Sequence, residues 1–301
     1  MLKIAYHPAY AHPLPKGHRF PMLKYELLPQ QLIREGTCTD DNFFEPEYMR
    51  NETPILAVHT SEYFYDLLNI TLDKKVARKI GFPLSEDLVA REITIADGTI
   101  KASEFALEHG IAMNIAGGTH HAFTNRGEAF CMLNDQAIGA RYLQNKGLAQ
   151  QILIVDLDVH QGNGTAEIFT NDLSVYTFSM HGKNNYPFKK EQSDLDIALE
   201  NNMDDDAYLS ILRETLPKLI RDIKPDFIYY LCGVDVINTD KLGKLGLTVA
   251  GCKARDEFVL HLCKTENIPV MCSMGGGYSP DIKTIVEAHA NTFRLAQDLF
   301  F

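Results

Sequence analysis

The stretch that most limits the fold is Gln151 to Thr165, QILIVDLDVHQGNGT. It opens as an almost continuous apolar, β-branched run, turns into D-L-D-V-H and leaves through G-N-G. A run of that kind is a strand buried on both faces, which points to the interior of a parallel sheet covered by helices. Alternation along the strand sends Asp156, Asp158 and His160 to one side and Leu157 and Val159 to the other. Two carboxylates and an imidazole on one buried face are costly unless a cation joins them, so the stretch reads as a metal-bearing strand end. The competing reading makes the aspartates helix caps and His160 a satisfied core residue.

The rest of the chain repeats the design. Short apolar runs at Leu2 to Tyr6, Ile111 to Ile115, Leu173 to Met180, Phe227 to Cys232 and Pro269 to Met274 alternate with segments of helical spacing. These predict helices over Met22 to Arg34, about His59 to Leu68, Asp204 to Ile223, Gly251 to Glu266 and Pro280 to Phe301. Thr71 to Glu104 reads as a helical stretch with a turn at Asp97-Gly98, and helix continues to His109. Asp135 is read as the cap of a helix reaching about Lys146, and Gly147 as its stop. Residues 37–54 and Lys183 to Asp196 read as polar loops. The expected fold is α/β, one open parallel sheet with helices on both faces, in a single domain over residues 1–301.

Composition narrows the function. With 29 Lys and Arg against 40 Asp and Glu, the formal charge is −11. That field repels nucleic acid and anionic membranes and favours basic partners. The six cysteines form no C-x-x-C pair and several sit in apolar runs, as expected of reduced, buried thiols. No signal-like start and no 18-residue apolar span is seen, so a cytoplasmic protein is expected.

In open parallel sheets ligands gather outside the carboxyl ends of the strands. Five strand ends here carry polar residues: His120/His121, Asp158/His160, Ser179/His181, Asp235 and Tyr278. Asp158, His160 and Asp235 would give mixed oxygen and nitrogen ligation with positions left for water and substrate, which suits a catalytic divalent ion. His120-His121 is either a polar loop or a base pair, with Asp156 and Asn163 as partners that fix the rings. Tyr278, after Gly275-Gly276-Gly277, is either a surface tyrosine or a donor to a developing oxyanion. The glycines form no phosphate loop, since neither G-x-G-x-x-G nor G-K-[ST] occurs.

GGTHHAF, DLDVHQGNGT, SMHG, the GVD of Gly233 to Asp235 and GGGY, in this order and spacing, resemble the metal-dependent histone deacetylase superfamily, with its arginase-like fold. The resemblance runs from about residue 4 to 295. The YPFKKEQSDLDI loop and short N-terminal region are most similar to the class IV branch and its bacterial relatives. It implies Asp158, His160 and Asp235 as ligands of Zn²⁺, with Fe²⁺ compatible, and Tyr278 as the group polarising the acyl carbonyl. It implies His120 and His121 as the histidines handling water, His121 being the proton shuttle to the leaving amine, with Asp156 behind His120. Phe130 and Tyr186 match the aromatic walls of a narrow substrate tunnel, which Gly276 also lines. Asp156, Asp158, His160, Ser179 and Met180 match a structural K⁺ or Na⁺ site.

Some positions depart from the commonest pattern. Gln161 stands where many relatives carry histidine, Asn163 where some carry aspartate, and Ala129 where glycine is frequent. Asn163 leaves His121 without an anionic partner, which should lower its basicity relative to His120. The expected activity is hydrolysis of acyl-lysine, acetyl or longer, in proteins or peptides, or of a related small N-acyl amine. The alternatives are an arginase-like amidinohydrolase, which wants a two-metal cluster with more aspartates, and an acyl-lysine-binding scaffold, which needs no proton shuttle.

Overall fold

The computed structural model describes residues 1–301 and contains one eight-stranded sheet. In chain order the elements are β1 (Lys3–Ala5), α1 (Lys24–Arg34), β2 (Phe43–Phe44), α2 (Thr53–Leu56), α3 (Ser61–Leu68), α4 (Lys74–Ile80), α5 (Glu86–His109) and β3 (Ile111–Asn114). There follow α6 (Asp135–Asn145), β4 (Ile152–Asp156), α7 (Asn163–Ile168), β5 (Val175–Gly182), β6 (Leu195–Leu199), α8 (Asp205–Ile223), β7 (Phe227–Leu231), α9 (Val249–Thr265), β8 (Val270–Ser273) and α10 (Ile282–Phe300). Every strand pairing is parallel and the order is β2-β1-β3-β8-β7-β4-β5-β6. No helix is long and apolar enough to cross a membrane.

The order explains why the polar strand ends matter. The five strands followed by polar residues, β3, β8, β7, β4 and β5, are contiguous in the middle of the sheet. Parallel pairing puts all their carboxyl ends on one edge, so residues far apart in sequence are delivered to one place. The central strands are buried on both faces, as in β4 and β7, where every residue is buried.

Four expectations need correction. The sheet has two strands more than expected, and both are edges: β2 lies inside the acidic segment 37–54, and β6 begins at Leu195 inside the expected loop. Edge strands lack one neighbour, so they need not be apolar on both faces and carry little pattern. Asp97-Gly98 makes no turn but lies within the unbroken α5. A Cβ on Gly98 would sit 3.1 Å from Ala5 Cβ in β1 and 3.0 Å from the Asn114 amide in β3, so the glycine lets the helix lie close to the sheet. The cap of α6 is Asn134, whose side chain accepts from the Ala137 N–H, while Asp135 turns inward. Finally, β4 ends at Asp156; Asp158 and His160 stand on the bend beyond it, so strand alternation does not place them.

Candidate active site

Asp158, His160 and Asp235 come together although alternation fails. One ligand atom from each lies within 4.8 Å of the others, and all three side chains are buried. The bend after β4 is held by hydrogen bonds to the carboxylates themselves. Asp156 Oδ1 accepts from the Asp158 N–H at 3.1 Å, Asp158 Oδ1 from the His160 N–H at 3.0 Å, and Asp235 Oδ1 from the Val159 N–H at 2.9 Å. From the β8 side, the Gly276 N–H donates to Asp158 Oδ2 at 2.9 Å. A Cβ on Gly276 would lie 2.1 Å from Asp235 Oδ2, so this position admits only glycine against the trio.

His160 Nδ1 lies 3.0 Å from Asp158 Oδ1 and 3.1 Å from Asp235 Oδ2. Burial pulls its imidazole down, but these carboxylates outweigh it and raise the pKa to about 10. Burial, then the charge of Asp158, pushes Asp235 up to about 7. The cluster therefore draws positive charge to one buried point, and its donor set of two carboxylates and an imidazole fits a divalent ion such as Zn²⁺ or Fe²⁺.

Beside the trio, the His120 and His121 rings lie 4.1 Å apart between centroids and have different partners. His120 Nδ1 is 2.7 Å from Asp156 Oδ2. Burial lowers this imidazole, yet the Asp156 charge and hydrogen bond outweigh that and leave it raised. His121 Nδ1 is 2.6 Å from Asn163 Oδ1, a neutral acceptor. Burial, then the charges of His120 and His160, hold His121 well below the usual range. The two histidines are split in the direction that the Asn163 substitution predicts. Their loop is anchored by Asp135, whose carboxylate accepts from the Thr119 N–H at 2.9 Å, Thr99 Oγ1 at 2.7 Å and Ser273 Oγ at 3.0 Å.

Tyr278 faces the cavity that Asp158, His160, His120, His121, Gly276 and Phe130 share. Burial, then the charges of Asp235 and Asp158, hold its phenol well above its ordinary pKa, so it stays a donor. Its ring packs near Phe20 and Phe130, at 6.1 Å between centroids in each case. Phe130 and Tyr186 both line the groove leading outward, and Tyr186 meets His121 edge to face at 5.0 Å. Ala129 and Phe130 both have positive φ, +45° and +69°, which accounts for glycine being natural at residue 129. The Lys79 and Ile80 carbonyls accept from the two N–H groups at 2.8 and 2.6 Å and pin this bend.

Of the residues expected to hold a monovalent ion, the β4–β5 register sets Ser179 directly beside Asp156, with buried Met180 next along β5. Ser179 Oγ lies 3.0 Å from His181 Nδ1. Gln161 has a defined place: its amide donates to the Glu191 carbonyl at 2.7 Å and its oxygen accepts from the Glu191 N–H at 2.9 Å, which ties the bend after β4 to the mouth loop.

Several positioning residues carry no motif. Asp240 accepts from the Tyr278 N–H at 2.5 Å and fixes that backbone. Buried Arg255 donates to the Leu157 and Gly233 carbonyls at 3.0 and 2.7 Å, holding the bends after β4 and β7. Buried Lys24 donates to the Gly275 carbonyl at 2.9 Å, and burial lowers its amine to about 8 against the pull of Asp235 and Asp158. For Lys24 and Arg255 the only signal in the sequence is a charged residue inside an apolar helical pattern, which is weak, and Asp240, in a loop, gives none.

His59 braces the same region, with Nδ1 2.9 Å from the Phe123 carbonyl and Nε2 accepting from the Asn134 N–H at 3.0 Å. Burial lowers its pKa to about 4. Unfolded histidine titrates near 6.5, so above that pH both states are neutral; as pH falls toward 4 the unfolded chain takes the proton first. Stability should therefore fall by roughly 2–4 kcal/mol from this group over that window. Calorimetry of the wild type and His59→Gln between these pH values checks it: the variant's melting temperature should fall less steeply, and parallel slopes would remove His59 as the cause.

With the geometry in hand, comparisons with known proteins agree on one family. The family described as histone deacetylase domain matches residues 18–293. An uncharacterised protein of Picosynechococcus is 45% identical over 297 residues, 99% of each chain. Histone deacetylase 2 of Arabidopsis thaliana is 29% identical over 87% of this chain and 70% of its own length. In solved structures, the chain's fold is similar to that of a histone deacetylase homologue complexed with SAHA, at 24% identity and TM-score 0.84, covering 99% of this chain and 83% of that one. A homologue from Aquifex aeolicus gives TM-score 0.83 at 23% identity over 97% and 82%.

Proposed function

Because the chain belongs to the histone deacetylase family, we propose that it is a zinc-dependent hydrolase that removes short acyl groups from the ε-amine of lysine, working as one catalytic domain over residues 1–301. The observation that carries this reading is the meeting, at adjacent strand ends, of the Asp158–His160–Asp235 trio, a split histidine pair and a phenol kept protonated. A scaffold would have no use for the histidine pair.

Asp158, His160 and Asp235 hold the metal, which when bound supplies Lewis-acid polarisation of the acyl carbonyl and a more acidic water. Tyr278 donates its hydroxyl hydrogen to the carbonyl oxygen as negative charge develops there. His121, held neutral, takes the proton from water as its oxygen bonds to the carbonyl carbon. It then gives that proton to the nitrogen as the C–N bond breaks, so a carboxylic acid and an amine leave. Asp156 fixes the His120 ring and supports positive charge beside the reacting atoms. Phe130 and Tyr186 flank the lysine stem, with Gly276 against the trio.

Asp156, Ser179, Met180 and the backbone of Asp158 and His160 are the group proposed to bind K⁺ or Na⁺. Cytoplasmic residence suits the six cysteines, all buried and unpaired. Acyl length follows from space: the cavity at the trio holds about 40 Å³ and is lined by the Arg91 guanidinium as well as Tyr25 and Ile95. That polar, small end favours acetyl over fatty acyl groups. A panel of acetyl- to myristoyl-lysine peptides tests both points. Zinc-loaded protein should turn over acetyl-lysine, lose that activity with a chelator, and slow as the chain lengthens. Absence of turnover at every length would overturn the reading.

A further inference from the structure

The groove that opens outward from the site has a charge balance opposite to that of the molecule. It has a volume of about 820 Å³, more than a lysine stem occupies, and runs past Tyr186 and Phe188 to Leu242. Five basic residues line it, Arg19, Lys79, Arg126, Lys189 and Lys244, in a chain whose formal charge is −11. Its two carboxylates are Glu128 and Glu191. Glu128 is already engaged: it accepts from the Tyr186 hydroxyl at 2.6 Å and Arg126 Nε at 3.1 Å, with Lys79 Nζ 3.5 Å away.

Arg19, Lys189 and Lys244 are exposed and make no salt bridge. The Arg19 guanidinium stands 5.0 Å from the centroid of the tunnel-wall ring Phe130, and Lys244 Nζ donates to the Asn184 carbonyl at 3.0 Å, contacts that leave both charges uncompensated. Phe188, 92% exposed, adds an apolar platform on the same rim.

We propose that the substrate presents its acyl-lysine within an acidic polypeptide segment, and that this mouth selects against basic segments and polyamines; the inference rests on the deacylase reading of the site. The groove's volume leaves room for residues next to the lysine. The cations sit where flanking carboxylates would lie, and the molecule's overall negative field turns an acidic partner away everywhere else. Rim charges act through solvent, so the preference is set by approach and weakens with salt.

The test uses the zinc-loaded full chain and two labelled acetyl-lysine peptides that differ only in Glu/Asp or Lys/Arg flanks. At low ionic strength the acidic peptide should bind about tenfold tighter by fluorescence anisotropy and be turned over with correspondingly higher kcat/KM. In ~0.5 M salt the ratio should shrink to about twofold. Lys189→Glu should pull the low-salt ratio toward one. Lys218→Glu on α8, which makes the same change in net charge at an exposed residue outside the groove lining, should leave it high. Equal or tighter binding of the basic peptide overturns the proposal. Turnover of both peptides without preference overturns it while leaving the deacylase reading intact. Preferential binding with no turnover of either peptide leaves the acidic-segment surface standing and removes the deacylase reading instead.

Discussion

Replacing Tyr278 with phenylalanine lowers kcat on acetyl-lysine peptides by roughly 10²–10³-fold, the scale of losing one oxyanion donor, while zinc affinity and KM change little. The expectation rests on how little else the hydroxyl does. The ring is held by its packing with Phe20 and Phe130, which phenylalanine retains. The backbone is held by the Asp240 carboxylate on the Tyr278 N–H, which no side-chain change touches. Burial and the nearby aspartates keep the phenol protonated, so across neutral pH it has one role, donation. A loss confined to kcat means the interaction is made in the transition state and not with bound substrate. Steady-state kinetics with calorimetric zinc titration decide the matter. Activity within about threefold of wild type would take Tyr278 out of the chemistry.

From spacing alone that tyrosine was either a surface residue or an oxyanion donor, and the resemblance to a known family chose between them; the same division applies to the whole site. Central strands such as Ile152–Asp156 and Phe227–Leu231 are buried on both faces and leave apolar runs with sharp ends, so the residues just past them stand out. The edge strands Phe43–Phe44 and Leu195–Leu199 are short or only partly buried, and their polar surroundings hide them. Within the site, motif residues could be read because their types are rare together. How they meet could not: strand alternation suggested one face for Asp158 and His160, whereas the bend after Asp156 is shaped by carboxylates accepting backbone N–H groups. The supports were the least visible. Asp135, Asp240 and Arg255 act across long sequence separations, on Ser273, Tyr278 and Leu157, and single-chain spacing carries no trace of such pairings. Asp135 even mimics a cap, the adjacent Asn134 filling that role.

Asp235→Asn gives the complementary loss, in the metal and not in the hydroxyl. Asparagine keeps the shape, and its oxygen can still accept the Val159 N–H that Asp235 Oδ1 now takes at 2.9 Å, so the bend after β4 should persist. What goes is one of the two carboxylate charges proposed to hold a cation beside His160. Changes to groups merely supporting a metal ligand cost about 10–100-fold in affinity, so loss of a ligand charge should cost at least ~100-fold. Thermal melts with and without zinc separate this from general damage. Wild type at zinc near 100 times its Kd gains about 2.7 kcal/mol, and the variant at the same zinc gains almost none. Its zinc-free melting temperature should stay close to that of wild type, because asparagine relieves the cost of burial and the Asp158 repulsion that push Asp235 up, but gives up the charge beside His160. Tyr278→Phe should retain the full zinc-induced gain with little turnover, and Asp235→Asn should lose both. If Asp235→Asn kept its zinc-induced gain, the metal would have to be held elsewhere, and the assignment of the trio as its ligands would fail even with the fold and the family unchanged.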